Sequence, residues 1–277
     1  MLSDSWLVGT SSGVYVANDQ GTFERMGAYQ FRVTALDRSS GRILAATGSG
    51  MWEVRQDRWV QRHDETLTEV MDVIDDGERM IAASAYGVAF GTTDPSGVPH
   101  WDWLSNNLHV NQRFTNAVLR MDDARLLAGT EGGVLIHHAT SGWRTTSLVA
   151  PVRCLLRHGD EYLAGADDGL WSSDDGQNWR PAGVQVTVYA LTTVQNLVVA
   201  GTEQGVLVSS DGRPWCCAGL AGMRVTAVAI SPVDAGHWYA GGMPGGLWIT
   251  RDQGQSWVAV PEIRVEVEAI SAPGDRS

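Results

Sequence analysis

Seven carboxylates in this chain of 277 residues could act in pairs, and they are Glu69, Asp72, Glu131, Asp168, Glu203, Glu266 and Glu268. Two carboxyl groups about 5–5.5 Å apart suit retaining glycoside hydrolysis, and a separation of about 6.5–9.5 Å suits inverting hydrolysis. One group then protonates the leaving oxygen while the other acts as nucleophile or base. Whether any two of these acids meet depends on the elements that carry them.

Other catalytic chemistries have weaker support in the sequence. The segment Gly9–Gly13 matches the G-x-S-x-G pattern of a serine nucleophile, with Ser11 at its centre. The equivalent segments Gly129–Gly133 and Gly201–Gly205 lack that serine, and we expect a strand, not the required helix, to follow. We therefore interpret Gly9–Gly13 as a repeated turn. The histidines and cysteines lack zinc-finger spacing, so neither a metal site nor a cofactor is predicted.

Composition narrows the classes of partner. All 20 basic residues are arginine, which excludes Schiff-base and P-loop chemistry, since both need lysine. The net charge of −12 argues against nucleic acid and anionic membranes as partners. No apolar run approaches the roughly 20 residues of a membrane span. The first residues lack signal-peptide features, and the odd set Cys154, Cys216 and Cys217 favours a reducing compartment, so we expect a cytoplasmic protein.

Internal repetition is the strongest pattern in the sequence. A short apolar run ending in a small residue occurs seven times, with that residue at positions 9, 46, 83, 129, 165, 201 and 241. The mean period of about 38.7 residues is close to the roughly 40–45 residues of a four-stranded propeller blade. The sequence therefore predicts an all-β, seven-bladed β-propeller of four-stranded antiparallel blades, forming one domain over residues 1–277. An open sandwich or two domains are the weaker alternatives.

The two ends of the chain indicate how the ring closes. The first unit begins at its second strand, Trp6–Thr10, so its inner strand is missing there. The run Val265–Ile270 has the inner-strand pattern and no further strands after it. We expect this C-terminal strand to complete the first blade, which removes two exposed sheet edges.

A second pattern marks the turn between the third and fourth strands. Residues 172–179 and 250–257 both fit S/T-x-D-x-G-x-x-W, and residues 209–215 are one residue shorter. The Asp can accept backbone N–H groups, the Gly can take a positive φ, and the Trp can bury its ring. We assign structural roles to Asp174, Gly176, Trp179, Asp211, Trp215, Asp252, Gly254 and Trp257.

With two complete copies of this turn, the chain resembles the Asp-box (BNR) propellers. That family includes sialidases, xyloglucan hydrolases, sortilin-type receptors and the Ycf48-type photosystem II assembly factor. Seven units match the Ycf48-type group better than six-bladed sialidases or ten-bladed sortilins. The resemblance implies a fold more than a chemistry, because members differ in function. It also implies that ligands enter at the rim opposite the Asp-box turns.

That opposite rim is expected to carry one asymmetric site. The second residue of each inner strand differs between units, in the series Thr34, Met71, Asn116, Arg153, Tyr189, Thr226 and Glu268. A lectin with one site per blade would repeat its contact residues. The third unit is about 9 residues longer than its neighbours, and insertions on a rigid scaffold often carry function. The candidate binding residues are Arg32, Glu69, Asn107, His109, Asn111, Arg113, Arg153 and Tyr189.

Within this set Arg113 is expected to be the main anchor, because a planar guanidinium can bind a carboxylate through two hydrogen bonds. The alternative is that Arg113 pairs with Glu69 or Asp72. The favoured hypothesis is a non-catalytic binding or assembly propeller that presents this rim to a protein partner. The alternatives are a glycoside hydrolase, or a small-molecule-binding or lyase-type propeller, acting on a glycan or small molecule in a rim pocket.

Overall fold

The apolar runs of the repeat form short strands in this computed structural model, which describes residues 4–18, 21–27, 29–55, 58–77, 79–121 and 125–274. The described residues form 28 strands and one short helix. The first fifteen strands and the helix are β1 Leu7–Thr10, β2 Gly13–Ala17, β3 Phe23–Met26, β4 Val33–Asp37, β5 Leu44–Thr47, β6 Gly50–Val54, β7 Trp59–Gln61, β8 Val70–Asp75, β9 Met80–Ser84, β10 Gly87–Thr93, β11 Pro99–Trp103, α1 Val110–Arg113, β12 Thr115–Arg120, β13 Leu126–Thr130, β14 Gly133–His138 and β15 Gly142–Thr145.

The remaining strands are β16 Val152–His158, β17 Glu161–Ala166, β18 Gly169–Ser173, β19 Arg180–Pro181, β20 Val188–Val194, β21 Leu197–Thr202, β22 Gly205–Ser210, β23 Cys216–Cys217, β24 Arg224–Ile230, β25 Trp238–Met243, β26 Leu247–Thr250, β27 Val258–Val260 and β28 Val267–Ser271. They form seven four-stranded antiparallel sheets, so the predicted seven-bladed propeller is confirmed. Blades two to seven each take four consecutive strands, from β4–β7 to β24–β27.

Blade one is closed by the C-terminal strand. Its strand order is β28-β1-β2-β3, and Val8 pairs with Ile270. The predicted closure is therefore confirmed, although the strand covers Val267–Ser271 where the sequence pattern placed it at 265–270. Because β28 comes from the far end of the chain, the first blade has four strands like the others, and no described strand is left unpaired after the last blade.

The threonine that often ends the second strand of a unit holds the next turn. The Oγ1 atoms of Thr10, Thr130 and Thr202 each donate to the carbonyl of the glycine three residues later, at 2.8 Å. Each Oγ1 also accepts the backbone N–H two residues on. The repeated Thr is therefore a buried turn cap, and Ser11 lies in such a turn with strand β2 after it.

The small residue of the repeat lies where one blade packs on the next. A Cβ atom added at Gly9 would lie 2.7 Å from Val33 Cγ1, and one at Gly129 would lie 2.6 Å from Val152 Cγ1. Both valines are fully buried in the inner strand of the following blade. Close contact between blade faces thus explains why these positions are glycine or alanine.

Tryptophans in the fourth strands, or directly before them, connect neighbouring blades. The indole Nε1 atoms of Trp101, Trp215 and Trp257 donate to the carbonyl oxygens of Arg62, Ala182 and Ala218, at 2.7–3.0 Å. Each acceptor follows the fourth strand of the preceding blade. These Trp rings therefore contribute both buried apolar area and a directional hydrogen bond to the blade interface.

Two of the turns between third and fourth strands use their carboxylates as the pattern predicted, but at different positions. Asp252 Oδ1 accepts the Ser256 N–H at 2.8 Å, and the hydrogen bonds from Ser256 lower the pKa of Asp252 to about 2. In residues 172–179 the accepting carboxylate is that of Asp175, which takes two backbone N–H groups at 2.8 Å. Asp174 instead pairs with Arg180 at 2.8 Å.

The role predicted for Asp174 is therefore wrong. The reason is local: the Ser173 hydroxyl accepts the Gly176 N–H, so this turn begins one residue later than the sequence pattern implies. Trp179 is nonetheless buried, and its Nε1 donates to the Gly176 carbonyl at 3.0 Å. The shorter third turn holds Asp211 at a φ of 75°.

Candidate functional site

The antiparallel order of the strands decides which loops meet at each end of the channel. Inner strands start at one end, and the chain returns to that end in the turns between second and third strands and in the connections between blades. We call this end the mouth rim. The turns at 172–179, 209–215 and 250–257 lie at the opposite end, the far rim.

A cavity of about 240 Å³ opens at the centre of the mouth rim, and we call it the mouth cavity. Every inner strand has a β-bulge here, as between Val33 and Ala35, which releases the second residue from the ladder. All seven variable residues line the cavity together with Arg32, Met243 and Glu266: Thr34, Met71, Asn116, Arg153, Tyr189, Thr226 and Glu268.

Several of the bulged residues also connect neighbouring blades. Thr34 Oγ1 donates to the Val70 carbonyl at 2.6 Å, and Thr226 Oγ1 donates to the Val267 carbonyl at 2.7 Å. The Asn116 side-chain amide donates to the Val152 carbonyl in the same way, at 2.9 Å. The wall of the cavity is therefore held by hydrogen bonds from blade to blade.

Arg153 lies between two carboxylates at the mouth. Its guanidinium contacts Glu131 and Asp167 at 2.6 Å each, and these acids come from the turns of blades four and five. The hydrogen bond to Asp167 and the charge of Glu131 raise the pKa of Arg153. Such a bidentate arrangement fixes the orientation of the side chain as well as its charge.

Two further arginines complete the charged ring. Arg32 contacts Glu268 at 2.6 Å, and this hydrogen bond, with the charge of Glu266, raises the pKa of Arg32. Arg224 approaches Glu203 at 3.8 Å, and its guanidinium carbon lies 5.7 Å from the centre of the Tyr189 ring. That second distance is in the range of a cation–π contact.

Beyond the mouth, the next residue of each inner strand also lines the channel. In five blades the residue after the bulge is alanine, but blades three and five carry Asp72 and Cys154. Both Asp72 oxygens accept backbone N–H groups, from Val73 and Val118 at 2.9 Å, and burial raises the Asp72 pKa to about 6. Burial also raises the pKa of the Cys154 thiol to about 12, which makes it a poor nucleophile.

The insertion of the third unit forms a separate feature on the mouth rim. It contains the helix α1, preceded by His109, whose Nδ1 atom lies 3.0 Å from Asn111 Oδ1. Arg113 donates to the carbonyls of Leu108 and Asn106 at 2.8 Å each. The guanidinium thus holds the insertion's own backbone.

The expectation that Arg113 pairs with Glu69 or Asp72 is therefore wrong, since its donors are used by backbone carbonyls and Asp72 binds backbone amides. Of the candidate residues, the structure brings Arg32, Arg153 and Tyr189 to the mouth cavity. Glu69 lies in the connection between blades two and three, where its N–H donates to the Gly48 carbonyl. The remaining candidates lie on the insertion: Asn107, His109, Asn111 and Arg113.

The structure also shows exposed apolar side chains on the mouth rim. Tyr29, Tyr86, Val110 and Val149 are 42%, 55%, 76% and 75% exposed, and they follow the rim from blade one to blade five. We call these four residues the apolar arc. Their signal in the sequence is an apolar residue in a segment between strands, and none of the four is among the candidate binding residues above.

Within the described ranges, no three His, Cys, Asp or Glu side chains are grouped as a metal site would need. No helix in the part of the chain that the structure describes is long and apolar enough to cross a membrane.

No protein-family model and no curated protein matches the chain. Solved structures do match. A protein from Lactobacillus plantarum superposes with a TM-score of 0.66 at 12% identity, over 96% of this chain and 98% of that one. The extracellular domain of BT4673 from B. thetaiotaomicron gives 0.63 at 14% identity over 91% of this chain, which spans only 44% of that chain's length.

Two other solved structures that match are a β-propeller domain and an enzyme. The β-propeller domain of Myceliophteria thermophila Cps50 (Swd1) gives a TM-score of 0.62 at 15% identity, covering 87% of this chain and 91% of that one. An ancestral GH74 enzyme gives 0.62 at 14% identity, covering 78% of this chain and 36% of that one. At these identities the likeness establishes the fold alone: the chain is a seven-bladed β-propeller.

Proposed function

We propose that this propeller is a non-catalytic binding or assembly protein that presents its mouth rim to a protein partner. The observation that carries the proposal is the apolar arc. Tyr29, Tyr86, Val110 and Val149 expose apolar surface on the mouth rim, and both exposed tyrosines of the described residues lie there, whereas the far rim exposes the valines Val98, Val233 and Val258. Exposed apolar patches, and exposed tyrosines in particular, are typical of protein interfaces.

The charged groups of the same rim support binding more than catalysis. Arg153 is engaged by Glu131 and Asp167, and Arg32 by Glu268. Carboxylates held in such pairs are stabilised in their ionised form, whereas a glycosidase needs one carboxyl group that stays protonated. Ion pairs at the channel mouth, next to exposed apolar residues on the same rim, instead fit a contact surface that orients its partner.

Glycoside hydrolysis remains the alternative, and Asp72 is the residue that favours it. Its pKa of about 6 would suit a general acid. However, both of its oxygens already accept backbone N–H groups. We expect no sugar release from xyloglucan or a sialylated oligosaccharide; release that is abolished by Asp72→Asn would instead support the hydrolase.

We also propose that the chain is a propeller of the Asp-box type. The hydrogen bonds of Asp252 in the turn at 250–257 support it, as does the buried Trp179. The cytoplasmic location stays a prediction, and one structural neighbour is described as an extracellular domain.

The test compares two pairs of exposed residues. Proteins from the host lysate that bind the wild-type chain are identified by mass spectrometry, purified and titrated. Tyr86→Ser with Val149→Ser should weaken binding about tenfold, equivalent to about 1.4 kcal/mol, with an unchanged Tm. The control pair, Val98→Ser with Val233→Ser, changes two exposed apolar side chains on the far rim and should bind normally. Loss of binding in the control pair alone would place the interface on the far rim and refute the proposal.

A further inference from the structure

The mouth cavity continues into the channel. The seven residues at the bulges line both the mouth cavity, of about 240 Å³, and the channel space behind it, of about 230 Å³. A space that extends inwards from the rim along the channel can receive one long inserted side chain.

The walls of this space suit a long aliphatic stem. Met71 and Met243 line opposite parts of the ring, and methionine adapts its shape to an inserted group. The Tyr189 ring also lines the cavity, and it already has the Arg224 guanidinium near its face at 5.7 Å. The aromatic face of Tyr189 is therefore compatible with a cation.

The charges at the mouth do not balance. Arg153 has two carboxylate neighbours, Glu131 and Asp167, so this group carries one excess negative charge. Arg32 likewise has two, with Glu268 in contact and Glu266 close enough to act through its charge, which gives a second excess. Arg224 is matched by Glu203 alone. These three arginines therefore face five carboxylates, and the group that they form around the cavity carries two excess negative charges.

We propose that the mouth cavity receives one cationic side chain, a lysine or an arginine, from the protein partner. This inference rests on the proposed function and names the chemistry of the partner residue that faces the mouth cavity. The methionines contact the aliphatic stem, Tyr189 offers a ring face, and Glu266 with Glu268 supply the negative charge for the head group. Binding of a side chain in a preformed cavity of opposite charge gives specificity for orientation as well as attraction.

The methionines at the cavity make the proposal testable without knowing the partner. In protein labelled with ¹³C at the methionine methyl groups, Met71→Leu and Met243→Leu assign the two relevant signals. The probe is Nα-acetyl-L-arginine amide, and its matched neutral control is Nα-acetyl-L-citrulline amide. The arginine probe should shift both signals in a saturable way, while the buried Met80 and Met121 stay unchanged. Citrulline should leave all four in place.

Substitutions then test the charges. Glu266→Gln and Glu268→Gln should each weaken binding of the arginine probe about threefold to fivefold. Glu65→Gln removes an exposed carboxylate elsewhere on the mouth rim and should leave the affinity unchanged. Because the Met80 and Met121 signals report folding, a variant that fails to fold is recognised, and the other glutamate variant then gives the answer.

The inference and the proposed function can fail separately. If the citrulline and arginine probes shift the signals equally, or neither does, the cationic side chain is refuted, whatever the partner assay shows. If the arginine probe binds but the Tyr86→Ser and Val149→Ser pair leaves partner binding intact, the cavity accepts a cation and the rim interface is wrong.

Discussion

The contact between the first and second blades gives the sharpest test of how the ring is packed. A Cβ atom added at Gly9 would lie 2.7 Å from Val33 Cγ1 and 3.1 Å from Ala269 Cβ in the closing strand. Overpacking of this kind costs about 1–3 kcal/mol, so Gly9→Ala should destabilise the fold by that amount. Val33→Ala removes two buried methyl groups, about 1.6 kcal/mol at ~0.8 kcal/mol each, and leaves a cavity in addition.

The double variant should be less destabilised than the sum of the two single variants. Once Val33 Cγ1 is gone, the nearest remaining atom of that side chain is Cβ, at 3.2 Å from the added methyl group. The new methyl then occupies part of the space that Val33 vacates. We expect a coupling of about 1–2 kcal/mol in the stabilising direction, measured by urea unfolding followed through tryptophan fluorescence.

A matched control separates contact from general strain. Val152 is buried in the same way as Val33, but it packs on Gly129 in another blade. Gly9→Ala combined with Val152→Ala should therefore be additive to within about 0.3–0.5 kcal/mol. Additive behaviour of Gly9→Ala with Val33→Ala would show that these two blades do not pack as described.

Three further predictions concern the channel, the far rim and closure. Since burial raises the Asp72 pKa to about 6, the folded state binds this proton more tightly than the unfolded state. Stability should thus fall as the pH rises from about 4 to about 6, and Asp72→Asn should reduce that fall by about 3 kcal/mol. The rest of the fall comes from Asp37, because burial raises its pKa to about 6 as well. An unchanged pH profile of urea unfolding in Asp72→Asn would contradict this. Trp257→Ala should lower the free energy of unfolding in urea by about 3–5 kcal/mol. The folded fraction should still bind the partner with unaltered affinity, and a selective loss of binding would instead place the site on the far rim. Deleting residues 263–277 removes the fully buried Val267 and exposes the edge of the first blade, so the product should aggregate; cooperative melting near the full-length Tm would disprove the closure.

Much of the fold could be predicted from the sequence because each blade uses the same residue types at the same positions to pack on its neighbours. The small residue at Gly9 and its equivalents, the Thr10-type turn cap and the glycine after it recur with the period of the blade. The missing inner strand of the first unit and the spare strand at the C-terminus implied closure. The alignment of the seven units also predicted that the variable inner-strand residues lie near the channel.

The contacts of the site needed the tertiary structure. Nothing in the spacing says that Arg153 meets both Glu131 and Asp167, because Asp167 belongs to the same blade as Arg153 whereas Glu131 comes from the preceding blade. The present contacts of Arg113 also needed the tertiary structure, because an insertion can satisfy a guanidinium with its own backbone, which no side-chain pattern reveals.

The sequence by itself determined the number of blades, their closure and the end of the channel at which variable side chains collect. These features depend on short-range hydrogen bonds and on steric limits that repeat every blade. The tertiary structure alone decided the partners of each charged group, the shift of the 172–179 turn from Asp174 to Asp175, and the alignment of Tyr86 and Val149 on one rim. The charged partners and the alignment depend on distances between blades, which a local repeat does not encode, and the turn shift depends on which of two adjacent serine hydroxyls accepts the Gly176 N–H.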